Sequence, residues 1–401
     1  MNASATFFER LLAWLKVIGA RLWSLLDLAA AGALIAVSEI VQWVVPRARM
    51  WSRAIAGTIK SMSPGAWLKF AMLGAAALLL SYVWSWRDVA GHWWDTSQGN
   101  RPLMAAKSWY YHLDKIDVDK IAKSDADVLV IDYAREGGKI PLTPEEVARL
   151  KVKPDGKKRL VISYMSIGEA ETYRWYWRED WKGDDMPGWQ VMENCAWPRA
   201  HMVRFWHDGW KDIIYQGRRP YVKRIIDAGF DGVYLDRIDV YERQTDQRPT
   251  ARDDMIDFVT DMAKAARTWK PGFLVIAQNA EDLLQEQRYR DVIDGLGKED
   301  LLHGSTGTGV RNSDKDIAWS IDLMRRLQWD YKPVFAVEYL TTKAAIATTT
   351  TELNSLGMVP TFQHRSLDGG DPTVARADEK QQYGTPEWIQ TECKEKHKPH
   401  W

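Results

Sequence analysis

The stretch FDGVYLDRIDVYE, residues 230–242, decides how the rest of the chain is read. A glycine opens a short apolar run, Gly232–Asp236 (GVYLD), which ends in an acid, and a second acid, Asp239, follows three residues later. Apolar runs of this length, separated by longer helix-like stretches, are the signature of a parallel sheet. Working outward, the unit recurs: Trp109–Leu113 (WYYHL), Val128–Asp132 (VLVID) and Leu160–Met165 (LVISYM) precede it. Phe273–Gln278 (FLVIAQ), Val292–Leu296 (VIDGL), Val334–Glu338 (VFAVE) and Met358–Gln363 (MVPTFQ) follow. Between the strands, amphipathic periodicity predicts helices over Met202–Gly229, Ala251–Trp269, Glu281–Arg288, Lys315–Gln328 and Lys343–Leu356. Thr143, with Pro144, Glu145 and Glu146 behind it, reads as a capped helix start. Eight strands alternating with helices predict an α/β fold of the (β/α)8 TIM-barrel type, a domain of about 250 residues.

The chain has 401 residues, so such a barrel leaves room for an appendage. Its 54 basic and 54 acidic side chains balance, which argues against a nucleic-acid binder working by counterion release. The balance hides an asymmetry: residues 1–91 carry 9 Lys/Arg against 4 Asp/Glu, and the remainder 45 against 50. From Phe70 to Trp86 the chain reads FAMLGAAALLLSYVWSW, 17 uncharged residues between Lys69 and Arg87, which predicts a membrane-spanning helix with interfacial Trp84 and Trp86. Trp23–Val45 is also apolar but contains Asp27 and Glu39, so an interfacial or packed helix is the better reading there. The segment between carries Arg47, Arg49, Arg53, Lys60 and Lys69 without an acid, which places it in the cytoplasm and the C-terminal domain outside, periplasmic or extracellular. The expected organisation is an N-terminal anchor region over 1–94, a barrel over 95–370 and a tail over 371–401. The lipid bilayer is the expected partner of the anchor. Two cysteines, Cys195 and Cys393, are too few for a disulfide scaffold; one bridge or two free thiols are both compatible with the sequence.

Barrel enzymes place their chemistry at the C-terminal ends of the strands. Here strand two ends in Asp132–Tyr133, strand three runs into Gly168–Glu169 and strand four ends in Asp236 with Asp239 beyond. Strand five ends in Gln278–Asn279, strand six leads to Glu299, and strand seven ends in Glu338–Tyr339. Metal binding and glycosidic chemistry both use such a ring of acids. Only His112 and His364 lie near strand ends, so no metal and no other cofactor is expected. Glycoside hydrolysis needs one carboxylic acid to protonate the leaving oxygen and one carboxylate to attack or to activate water. Trp175, Trp177, Trp181, Trp189 and Trp197, crowded after strand three, are sugar-stacking faces or packing anchors.

The stretches VIDYA (130–134), YMSIGEAE (164–171), FDGVYLDRIDVYE (230–242), IAQNAEDLL (276–284), DGLGKEDLLHG (294–304) and VFAVEYL (334–340) together resemble the glycoside hydrolase family 114 barrel over roughly residues 105–370. The clan includes endo-α-1,4-polygalactosaminidases and uncharacterised bacterial relatives. The resemblance implies that Asp236, which closes the fourth strand in D-G-V-x-x-D-x-x-D, is one catalytic carboxylate, and that Glu299 is the other. It also implies retention of configuration. Asp132, Tyr133, Glu169, Asp239, Asn279, Glu338 and Tyr339 are expected around the substrate. The expectation is a membrane-anchored retaining hydrolase of an amino-sugar polysaccharide; the alternative is a catalytically silent polysaccharide-binding module with the same groove.

Overall fold

The computed structural model describes residues 102–136 and 138–374. Phe70–Trp86, Trp23–Val45 and Cys393 lie outside them; Cys195 is disulfide-bonded. Among the described residues no helix is long and apolar enough to cross a membrane.

Eight strands form one parallel sheet in chain order: β1 (Trp109–His112), β2 (Val128–Asp132), β3 (Leu160–Ser166), β4 (Gly232–Asp236), β5 (Leu274–Gln278), β6 (Gly295–Glu299), β7 (Val334–Glu338) and β8 (Val359–Phe362). The sheet curls into a nearly closed barrel, and across the seam the Trp109 indole Nε1 donates to the Val359 carbonyl at 2.9 Å. Helices α1 (Pro144–Leu150), α2 (Tyr221–Asp227), α3 (Ala251–Trp269), α4 (Asp314–Trp329) and α5 (Lys343–Ser355) alternate with the later strands. Helix α1 starts as expected, with a reciprocal capping box between Thr143 and Glu146 and Pro144 at the first turn.

Side chains alternate between two cores, as strand geometry requires. Trp109, Tyr111, Val130, Ile162, Tyr234 and Phe335 fill the barrel. Their neighbours Leu129, Ile131, Val161, Val233, Leu235 and Ala336 face the helices. The interior is an aromatic plug in which Tyr111 lies 5.6 Å from Trp109 and 5.2 Å from Tyr234, ring centre to ring centre. Strand β6 makes room for it: a Cβ on Gly297 would stand 1.9 Å from the Tyr234 hydroxyl.

That same glycine explains a correction. The sixth strand was expected over Val292–Leu296 but runs over Gly295–Glu299, ending on Glu299 itself. Its inward positions beneath Tyr234 must be small, so the true strand is weakly apolar, whereas Val292 and Ile293 form its approach. Asp294 fixes that approach by accepting from the Val275 amide at 2.8 Å and pairing with Arg267. The helix expected over Met202–Gly229 is also divided, into a strand (Ala200–Val203), a helix (Asp208–Lys211) running into one π turn (Asp212–Gln216), and α2. Gly217 closes on the Asp212 carbonyl, where a Cβ would approach to 2.4 Å, and Pro220 starts the next helix. Similarly, Glu281–Arg288 becomes a 3-10 turn (Glu281–Gln285) and a short helix (Gln287–Arg290).

Between β3 and β4 the chain leaves the barrel in a three-stranded antiparallel excursion, with Ala200–Val203 between Glu169–Glu171 and Gln190–Glu193. Its tryptophans divide by role. Trp177 stacks on His201, and Trp181, Trp189 and Trp210 pack edge to face or tilted at 5.0–5.1 Å. Trp177, Trp181 and Trp189 of the excursion are packing anchors. Trp175 is covered by the Arg224 guanidinium at 3.7 Å, while Trp197 is 45% exposed at the excursion's turn.

Candidate active site

The inward alternation of the strands delivers one side chain per strand to the C-terminal mouth: Asp132, Tyr164, Asp236, Gln278, Glu299 and, just beyond β7, Tyr339. Asp236 Oδ2 accepts from the Tyr164 hydroxyl at 2.6 Å and Oδ1 from the Arg237 amide at 2.7 Å. Glu299 Oε2 accepts from Gln278 Nε2 at 3.1 Å and Oε1 from the Tyr339 hydroxyl. Gln278, whose Oε1 accepts from Tyr111, thus stands between the two carboxylates. Both acids are half-buried, and neither forms an ion pair among the described residues. Burial pushes the Asp236 carboxyl up to about 7; the Glu299 charge adds to this, against the opposing effects of Arg237 and the Tyr164 hydrogen bond.

The residue directly after each of three mouth residues adopts a left-handed backbone: Arg237 (φ 60°), Asn279 (φ 52°) and Asp300 (φ 52°). For non-glycine residues this costs roughly 1–2 kcal/mol each, and it persists where surrounding contacts over-determine it. Those contacts are present. Arg237 pairs with Glu169 at 3.0 Å, Asn279 Oδ1 accepts the Glu299 amide at 3.0 Å, and the Asp300 amide donates to the Val337 carbonyl at 3.1 Å.

The remaining expected site residues have other partners. Asp132 Oδ1 accepts from Arg174 Nη1 at 2.8 Å, and Arg174 Nε reaches Glu171 at 2.6 Å in a buried triad. Glu169 is buried against Arg237 and Asn194 Nδ2; burial raises its pKa and Arg237 works against that rise. Asp239 lies 3.7 Å from Arg237 at the rim. Two expectations fail on direction. Tyr133 and Glu338 have the outward parity, so Tyr133 packs 5.5 Å from the Tyr221 ring, and the fully buried Glu338 accepts the Leu302 and His303 amides at 2.7 and 3.1 Å. Glu338 therefore holds the loop after β6 rather than a ligand. Asn279 supports Glu299 from behind through its amide, and Tyr339 does so directly. His112 and His364 each engage a backbone carbonyl, of Asp114 and Asp371, at 2.7 Å. Among the described residues no three His, Cys, Asp or Glu side chains converge as metal ligands. Tyr164, absent from the expected site, was readable from the alternation of LVISYMS; Arg174 and Arg365 carry no local signal.

With this geometry in view, the glycoside-hydrolase family GH114 model matches residues 90–381. An uncharacterised protein of Thermotoga maritima is 33% identical over 245 residues, which is 59% of this chain and 72% of that protein. An uncharacterised protein of Methanocaldococcus jannaschii is 34% identical over 279 residues, covering 67% and 75%. The glycoside hydrolase domain of PelA from Pseudomonas aeruginosa shares the fold, with a TM-score of 0.50 and 17% identity over 66% of this chain and 97% of that domain.

Proposed function

The chain belongs to glycoside-hydrolase family GH114, and from that premise we propose that it cleaves an amino-sugar polysaccharide of the galactosamine type, with retention, through Asp236 and Glu299. One observation carries the choice of residues: around the mouth, Asp132 and Glu169 are neutralised by Arg174 and Arg237, whereas these two are held only by hydrogen bonds. Glycosidic chemistry requires one protonated and one ionised carboxyl across the scissile bond. Asp236, raised to about 7, gives the pair a proton to share near neutrality. One carboxyl then protonates the leaving oxygen while the other attacks the anomeric carbon, and water completes the cycle with the first as base. Ground-state order comes from Tyr164, Gln278 and Tyr339, which fix the carboxylate planes before substrate arrives. The acids gathered at the mouth, with Asp239 at its rim, suit a cationic amino sugar.

The anchor belongs to the same proposal: residues 70–86 span the membrane, the region 1–94 tethers, the barrel over 95–370 faces outward and 371–401 follows as a tail. A reporter active only outside the cytoplasm, fused after residue 95, should be active; activity solely of a cytoplasmic reporter reverses this topology. For the chemistry, the full chain is incubated with α-1,4-galactosamine polymers and reducing ends are counted. Binding of the polymer without release of ends overturns hydrolysis in favour of a silent binding module.

A further inference from the structure

Arg365, three residues beyond β8, sits where the mechanism above does not use it. Its side chain is 10% exposed, Nη2 pairs with Asp300 Oδ2 at 2.7 Å, and its guanidinium lies 4.3 Å over the Tyr339 ring. Tyr339 in turn donates its hydroxyl to Glu299 Oε1, and Asp300 is the strained left-handed residue that follows Glu299 in the chain. Gly304 closes on the Asp300 carboxylate, where a Cβ would stand 2.3 Å from Oδ1, and Asn312 Nδ2 bonds the Asp300 carbonyl at 2.7 Å. The guanidinium is therefore held twice, by a fixed acid and by the ring whose hydroxyl touches the Glu299 carboxylate.

We propose that Arg365 is a positioning residue for Glu299, acting through Tyr339. The proposal rests on Glu299 being one of the catalytic pair. A cation over the face of a phenol makes its O–H a stronger donor, so the Tyr339 hydrogen bond to Glu299 tightens and the ionised carboxylate is favoured. The pair with Asp300 keeps the guanidinium from swinging into the mouth. Among the described residues, the titratable and charged groups around Glu299 include Asp236 from β4, Tyr234 beneath it, Tyr111 from β1, Tyr339 just beyond β7, Asp300 and Arg365. Lys298, beside Glu299 in the chain, pairs with Glu281 at 3.1 Å.

The test compares pH profiles of kcat and KM for the full chain as wild type, Arg365→Lys, Arg365→Met, Tyr339→Phe and the Arg365→Met/Tyr339→Phe double variant. Arg365→Met is expected to lower kcat about tenfold with KM within twofold, and to move the acid limb of kcat/KM to higher pH by at least half a unit. Tyr339→Phe should move the same limb in the same direction. Added to Arg365→Met it should cost less than a further twofold, because both variants break one chain of contacts. Arg365→Lys keeps the charge without the planar stack and should lower kcat while leaving the limb near its wild-type position. An acid limb unmoved in Arg365→Met, or effects that multiply in the double variant, would overturn the proposal. If Arg365→Met does not fold, an unmoved limb in Tyr339→Phe overturns it equally. Full turnover in Glu299→Gln would instead remove the catalytic pair itself, so the two failures are distinguishable.

Discussion

Two groups of acids line the same mouth and differ in one respect. Asp132 with Glu171, and Glu169, are locked to Arg174 and Arg237 in buried ion pairs, while Asp236 and Glu299 meet only tyrosine, glutamine and backbone donors. A carboxylate paired to a buried arginine has its charge fixed and its oxygens occupied; one held by neutral donors can still change protonation state and reach a substrate. The first group builds the walls of the site, and the second is free to take the role proposed for it. An acid at a strand end is therefore not evidence of chemistry until its partner is known.

That contrast can be broken in order of effect. Asp236→Asn and Glu299→Gln, each near-isosteric, should lower turnover on a galactosamine polymer by about 10³-fold or more while the circular dichroism spectrum is retained, since an amide neither donates the acid's proton nor attacks. Arg174→Met should leave Asp132 and Glu171 as uncompensated buried charges and cost about 3–5 kcal/mol, read by denaturant unfolding. A loss near zero there would place these acids among the reactive ones. Gly297→Ala drives a methyl into the Tyr234 hydroxyl and should destabilise by roughly 1–3 kcal/mol, with a shift in thermal midpoint as the readout.

The last effect concerns pH. Because the folded-state pKa of Asp236 is about 7 against an ordinary 3.8, the folded chain keeps a proton there that the unfolded chain has released between about pH 4 and pH 7. Stability thus falls as pH rises through that window. Asp236→Asn removes the dependence, so its stability relative to wild type should rise by about 4 kcal/mol from pH 4 to pH 8. A constant difference across the range would mean that Asp236 is ionised throughout.

Much of this was legible in residues alone. The runs GVYLD, VLVID and VFAVE coincide with β4, β2 and β7, and Ala251–Trp269 with α3, because in each the apolar period and the flanking turn residues agree. Strand β6 was not, because packing under Tyr234 demands glycine where apolar residues would have announced a strand. The choice of Asp236 and Glu299 as the proposed pair followed from strand ends and the family motif. The sorting of the other acids did not, because Arg174 lies 42 residues from Asp132 and Arg365 lies 65 from Asp300, distances over which no local pattern reports pairing. Tyr133 and Glu338 were separable by strand alternation, which assigns each to the outer face.

The indole of Trp109 bonding to Val359 joins residues 250 positions apart, and this has a consequence for biosynthesis. No partial barrel can close that seam, so a nascent chain must hold seven strands with an open edge until the eighth has left the ribosome. The aromatic plug and the mouth above it come together only then. It also makes the segment after Val334 the one whose truncation should send the chain to proteases or aggregates rather than to a weaker hydrolase.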